Sequence, residues 1–278
     1  MKNLIRLADY TAKEIFEIFQ IADEIKQGSH YRDILKGKSV ILFFPSSSIR
    51  TRVTFEKGIN LLGGQAILFP SDALDKKEDL RDVCGYLNNW ADMIVIRHKD
   101  IRVVEKVAEF SQVPVINAMT DINHPCEILT DMYALSKIRK DFVKDKYLFC
   151  GPKGNIGLAW KEASEVMGFE LSQCCVKGYE IEGLPVCYDV MEAVRGRDII
   201  CTDSLPKEIL KDFKGLQITK AVMNLANKGA VLNPCPPFYR GEEVSAEVIE
   251  SEYFVGYEFK KHLLDVQQAV MVYCLNKS

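Results

Sequence analysis

The chain has 278 residues, 47% hydrophobic and 27% charged, with a formal net charge of −3. That length suits about two domains of ~100–150 residues each, and the mild acidic balance excludes the basic footprint of a nucleic-acid or anionic-membrane binder. No apolar run approaches the ~20 residues of a membrane span, and the opening MKNLIRLADYTAKEIF lacks the apolar core and cleavage site of an export signal.

The first element, YTAKEIFEIFQIADEIKQG, reads as an amphipathic helix. Thr11 and Glu14 have capping-box spacing, apolar residues recur at helical period, and Gly28 is a natural stop. Strand-like and helical segments then alternate. SVILFF precedes a helix from about Arg50, QAILF one near Glu78, DMIVIR leads to IRVVEKVAEF, and VPVINA leads to HPCEILTDMYALSKIRK.

The rhythm continues with KYLFCG, a helix through Trp160, FELSQCCV, a helix near Met191, DIICTD and AVLNPC. The last segment, YEFKKHLLDVQQAVMVYCLN, reads as one final helix. Repeated βα units imply parallel sheets with helices on both faces. The expected fold is therefore α/β, with two doubly wound parallel-sheet domains joined by helices. The boundaries are residues 1–135, with a terminal helix over 257–278 packing back on them, and residues 136–256.

Nine cysteines is an odd number, and most lie inside apolar runs with no CxxC pair. A disulfide framework belongs to small exported domains, and a zinc site calls for paired thiols. All but Cys235 read as reduced and mostly buried, no metal is expected, and the expected compartment is the cytoplasm.

The most informative stretch is SSSIRTR, between the first strand and its helix. In open α/β sheets ligands bind beyond the carboxyl ends of the strands. A helix starting there offers unpaired N–H groups and a partial positive charge to an anion. Ser46, Ser47, Ser48 and Thr51 add hydroxyls, and Arg50 or Arg52 adds a guanidinium suited to phosphate. A serine cap with solvated arginines would carry the same letters. His124 begins a helix at the same sheet edge, and three prolines stiffen NPCPPFYRGEEVS around Cys235.

Together these segments resemble the aspartate and ornithine carbamoyltransferase family. SSSIRTRVTFEKG is similar to its SxRTRxxFE loop, HPCE to HPxQ, LDKKEDLRD to a lysine-bearing loop that reaches a neighbouring subunit, and NPCPPFYRGEEV to HCLPxxRGxEV. The order and spacing agree over nearly the whole chain. The resemblance implies a carbamoyl phosphate-binding first domain and an acceptor-binding second domain. Ser48, Ile49, Arg50, Thr51, Arg97, His124, Glu127 and Lys77 would bind carbamoyl phosphate, with Lys76 the other candidate in its loop. Asn155, Asp203, Ser204, Cys235 and Pro236 would meet an amine or amino acid, with ornithine the leading acceptor. Arg50, Thr51, Arg97, His124 and Cys235 would be the catalytic groups. No cofactor is implied, and a homotrimer is expected.

The chain departs from that family in particular places. Glu127 replaces its glutamine, and His262 and Leu263 stand where it has Asn-Arg before AVM. TDSLPKEILKDF passes directly into a helix where ornithine enzymes carry an SMG loop, and its Lys207 reads either as a partner for an acidic group on the acceptor or as a solvated lysine at the helix start. Two other readings follow. One is a non-catalytic carbamoyl phosphate or acyl phosphate sensor or assembly partner, motivated by Glu127 and Leu263. The other is a nucleotide-dependent oxidoreductase, suggested by CGPKGNIG, which is not GxGxxG and has no acidic residue closing the next strand.

Overall fold

Among the described residues, 2–28 and 30–277 of the computed structural model, nine strands form two all-parallel sheets. The chain divides into two units. Unit 1 runs through Tyr133 and resumes at Lys261, and unit 2 is Ala134–Lys260.

Unit 1 contains α1 (Ala12–Lys26), β1 (Ser39–Phe43), α2 (Arg50–Leu61), β2 (Gln65–Phe69), α3 (Leu80–Leu87), β3 (Met93–Arg97), α4 (Ile101–Phe110), β4 (Val115–Met119) and the start of α5 (Pro125–Ile138). The capping box at α1 forms as its spacing predicts: Glu14 N–H donates to Thr11 Oγ1 at 3.3 Å, and Thr11 N–H donates to Glu14 Oε2 at 2.9 Å. β1 and β3 are almost entirely buried, as strands covered on both faces must be. Ile41, Ile94 and Ile96 pack with Val104 and Val107 on one side.

Strand order is β2-β1-β3-β4, so the winding direction reverses between β1 and β3. The β3–β4 register shifts between Ile96 and Arg97, and such an irregularity re-aims the side chain at a strand's end.

Unit 2 contains β5 (Lys146–Cys150), α6 (Asn155–Met167), β6 (Glu170–Cys174), β7 (Val186–Cys187), α7 (Val190–Ala193), β8 (Ile199–Thr202), α8 (Leu210–Phe213), α9 (Lys220–Met223), β9 (Val231–Pro234), α10 (Ala246–Ile249) and α11 (Gly256–Lys260). The order β7-β6-β5-β8-β9 puts the reversal between β5 and β8. Leu148, Ile200 and Leu232 form a core with Val190, Val222 and Val248.

Two sequence expectations change, and a third is met by a short element. The final segment is two helices, because α11 stops at Lys260 and α12 (Leu263–Asn276) begins after His262. α12 belongs to unit 1, where it packs on α1 and α2. TDSLPKEILKDF is an irregular stretch followed by single turns, 3-10 over Lys207–Ile209 and then the four-residue α8. The helix near Met191 is likewise four residues. No helix among the described residues is long and apolar enough to cross a membrane.

Candidate active site

The loop after β1 and the end of β3 flank the reversal of winding in unit 1, where a crevice opens in doubly wound sheets. Ser48 N–H closes a turn onto the Pro45 carbonyl at 3.0 Å, which folds the serine inward. Arg97 Nη1 crosses from β3 and donates to Ser48 Oγ at 3.2 Å and Thr51 Oγ1 at 3.4 Å. Ser48 and Thr51 are no more than 5% exposed. α2 starts after Ile49 with no side-chain cap, so its first amides keep their hydrogen-bonding capacity for a ligand.

The two loop arginines differ in their local pairing. Arg52 Nε donates to Glu56 Oε1 at 2.6 Å within α2. Arg50 is exposed at the first helical position, and its guanidinium has no hydrogen bond or ion pair among the described residues. The result is two anchored hydroxyls, a fixed guanidinium, a second guanidinium and open amides, a donor set matched to a phosphate-like anion.

At the end of β4, Thr120 N–H bonds the Asn123 carbonyl at 2.7 Å and Asn123 N–H bonds Thr120 Oγ1 at 3.1 Å. This turn delivers His124 immediately before Pro125, the first residue of α5. His124 and Glu127 are 6% and 5% exposed. Lys76 and Lys77 are exposed and form no hydrogen bond or ion pair among the described residues. Leu263 is buried, and His262 packs edge-on against Tyr133 at 5.2 Å with Nδ1 3.3 Å from Lys26 Nζ. The two positions that differ from Asn-Arg therefore serve packing in unit 1.

A pair that sequence reasoning missed sits beside Arg97. His98 Nδ1 lies 3.1 Å from the Asp100 N–H and 3.2 Å from the Asp100 carbonyl, and Nε2 lies 3.0 Å from Asp75 Oδ1. His98 is buried, and an open cavity of about 390 Å³ is lined by both residues with Arg97, Pro45 and Thr120. The tether fixes the 3-10 turn Ser71–Asp75, directly ahead of Lys76 and Lys77. The only available signal was the three-residue run RHK at a strand end.

In unit 2 the candidates gather at the carboxyl edge on both sides of the β5/β8 reversal. Asn155 opens α6 after Gly154, and Ser204 N–H donates to Asp203 Oδ1 at 2.8 Å. Cys235 is adjacent to that loop, because its N–H bonds the Thr202 carbonyl at 3.0 Å. Pro236 follows, joined to Pro237 by a cis peptide bond. Thr202 Oγ1, Asn233 Oδ1 and Glu243 Oε2 are buried without hydrogen-bond partners among the described residues. The sequence drew attention to none of these three side chains. Gly157 explains the glycines of CGPKGNIG: a Cβ there would lie 2.5 Å from Phe149 Cε1 and 2.6 Å from Ile181 Cδ1, so the helix approaches its strand closely.

Comparison with known proteins gives one consistent result. Residues 2–137 match the family model for the carbamoyl-P binding domain of aspartate/ornithine carbamoyltransferases, and residues 144–274 match the model for the Asp/Orn binding domain. The chain is 34% identical to an ornithine carbamoyltransferase of Hydrogenovibrio crunogenus, covering 100% of this chain and 99% of that one. It is 30% identical to the Geobacter sulfurreducens enzyme, covering 98% of each. Its structure resembles the ornithine carbamoyltransferase of Pyrococcus furiosus, with TM-score 0.93, 28% identity and coverage of 100% and 98%. The anabolic enzyme of Campylobacter jejuni gives TM-score 0.92 at 28% identity, with 100% coverage of both chains.

Proposed function

We propose that this chain, which belongs to the aspartate/ornithine carbamoyltransferase family, transfers the carbamoyl group of carbamoyl phosphate to an amine, with ornithine the leading acceptor. The observation that carries this reading is Arg97 reaching across the reversal of winding to the Ser48 and Thr51 hydroxyls at the uncapped start of α2.

In this reading the Ile49 and neighbouring amides, Ser48 and Arg97 hold the phosphate, with Lys77 as a further phosphate ligand. The neutral amine attacks the carbamoyl carbon, the carbonyl becomes a tetrahedral oxyanion, and the C–O bond to phosphate then breaks. Arg50, Thr51 and His124 stabilise the oxygen as its charge develops. The departing phosphate takes the amine's proton, so no protein base is assigned. Glu127 accepts from the carbamoyl NH2 group. Asn155, Asp203 and Ser204 hold the acceptor's amino-acid end, while Cys235 and Pro236 border the reacting amine. Much of the rate gain comes from positioning and electrostatics.

The protein works as a homotrimer in the cytoplasm, with Lys77 of one copy completing the site of the next. Support comes from the unbonded Lys77, the outward apolar pairs Ile49/Val53 and Tyr86/Trp90, each four residues apart, and nine free thiols suited to a reducing compartment.

The test is phosphate release from carbamoyl phosphate with ornithine, putrescine, aspartate and 2,4-diaminobutyrate. Ornithine-dependent release is expected, reduced by about 10²–10³ in Arg50→Ala. Saturable binding of carbamoyl phosphate with no release from any amine would replace the transferase reading by the sensor reading.

A further inference from the structure

The RGEEV turn after β9 takes no part in the reaction described above. Glu242 is half-exposed, whereas Glu243 is 4% exposed. Glu243 Oε1 accepts the Tyr239 N–H at 2.7 Å. The turn is tied around it: Glu242 N–H bonds the Tyr239 carbonyl at 3.1 Å, Gly241 N–H bonds the Val244 carbonyl at 2.8 Å, and Ile218 N–H bonds the Glu243 carbonyl at 2.9 Å. Glu243 therefore closes the far end of the loop that begins at Cys235.

Its other oxygen, Oε2, is buried without a partner among the described residues. A buried carboxyl oxygen in that condition is costly. Thr202 Oγ1 and Asn233 Oδ1, at the carboxyl ends of β8 and β9, share it. Two of these atoms thus lie at the edge that carries Asp203 and Cys235, and Glu243 is close enough to feel the Asp203 charge.

The charged groups acting on Glu243 are negative. Burial pushes its carboxyl up from 4.5 to about 7, its own backbone N–H and that of Tyr239 pull it down, and Glu242 and Asp203 raise it further. The basic residue in its turn, Arg240, is directed to Glu250 at 3.4 Å and lies over the Phe238 ring at 5.6 Å.

We propose that Glu243 is a positioning residue of the acceptor half. Its carboxylate anchors the Cys235–Arg240 loop and, with Asp203, forms an acidic pair that selects an acceptor carrying an ammonium group. This rests on the reading of transfer to an amine. Ionisation strengthens the bond from Tyr239 N–H, because charge-assisted bonds are the stronger ones. It also increases attraction for a cation. A bound cation in turn favours the ionised form, so acceptor binding near neutral pH releases a proton to solvent.

The sign for stability follows from the raised value. The proton's stabilising contribution is fully present below the ordinary carboxylate value near 4.5 and is lost as pH rises through about 7.

Glu243→Gln keeps the shape and the acceptor for Tyr239 N–H but removes the charge. Phosphate-release kinetics with L-ornithine from pH 6 to 8 should show the ratio of ornithine KM, variant over wild type, rising from about one to about tenfold. The carbamoyl phosphate KM should stay equal in the two proteins, and the variant's Tm should gain on the wild type over the same interval. A ratio constant with pH, or a carbamoyl phosphate KM moving in step, overturns the assignment.

If the wild type turns over no amine, the transferase reading fails on its own. Glu243 is then judged by the Tm shift that L-ornithine induces at pH 8. A shift lost in Glu243→Gln upholds the proposal, and an equal or absent shift overturns it. Should the variant not fold, calorimetry of L-ornithine binding to the wild type at pH 7, in buffers of unequal ionisation enthalpy, decides the matter. Release of about half a proton is expected, and none overturns the proposal.

Discussion

Arg97 and its two hydroxyl partners show what single residues contribute at the phosphate edge. A guanidinium held by Ser48 and Thr51 has surrendered its rotamer freedom before any ligand arrives, so less ordering remains to be done on binding. Ser48→Ala removes one of those acceptors. It should raise the carbamoyl phosphate KM about three- to tenfold, the worth of one hydrogen bond, with little change in Tm. Glu127→Gln should act in the opposite direction. A buried carboxylate near a phosphate dianion repels it, and its neutral isostere should lower the same KM several-fold, on the order of a Coulomb interaction of about 1 kcal/mol. Both are read from phosphate release at varied donor; movement of the two constants in the same direction would contradict this electrostatic picture.

At the scale of elements, close approach is as consequential as charge. α6 sits so near β5 that only a glycine fits at position 157. Replacing a helical glycine by alanine normally stabilises by about 1 kcal/mol. Here the added methyl meets Phe149 and Ile181, and overpacking costs about 1–3 kcal/mol. Gly157→Ala should therefore lower Tm by a few degrees, about 2–4 °C per kcal/mol for a chain of this size, in a circular-dichroism melt. A higher Tm would show that propensity prevails and that β5 yields.

The element boundaries that differ from the sequence expectation share a cause. Periodicity around 257–276 continues through Lys261 and His262, but His262 turns to Tyr133 and Lys26, and the helix is interrupted there. Eight of the nine thiols are buried, Cys235 among them, and Cys187 is the partly exposed one; burial pushes the Cys84 thiol up to about 11 and Cys274 to about 12, values that keep these two protonated and unreactive.

For the whole molecule, each unit carries candidate residues beside the reversal point of its own sheet, Ser48 and Arg97 in unit 1 and Asn155 and Asp203 in unit 2. A trimer whose sites are shared makes a prediction that no single chain can satisfy. Arg50→Ala and Lys77→Ala should each be nearly inactive alone. Mixed by co-expression or by refolding together, they should regain activity in about a quarter of the sites, because a working site then draws Arg50 from one copy and Lys77 from its neighbour. Phosphate release with ornithine measures it, and mixtures no more active than the separate variants would assign Lys77 to no neighbouring site.

The sequence by itself determined the alternation of strands and helices, the all-parallel α/β class, and the donor-rich loop over residues 46–52. Each is a local pattern: a buried parallel strand is written as a continuous apolar run, and a phosphate-ready loop as hydroxyls and arginines just before a helix. Tertiary structure alone brought Arg97 to that loop, from a strand 46 residues beyond Thr51. It alone revealed His98 paired with Asp75, and Glu243 buried with one oxygen lacking a partner among the described residues. The sequence singled out Arg97 and the RGEEV motif but neither His98 nor Glu243, because burial and pairing depend on segments distant in the chain, and no local spacing records which of them will meet.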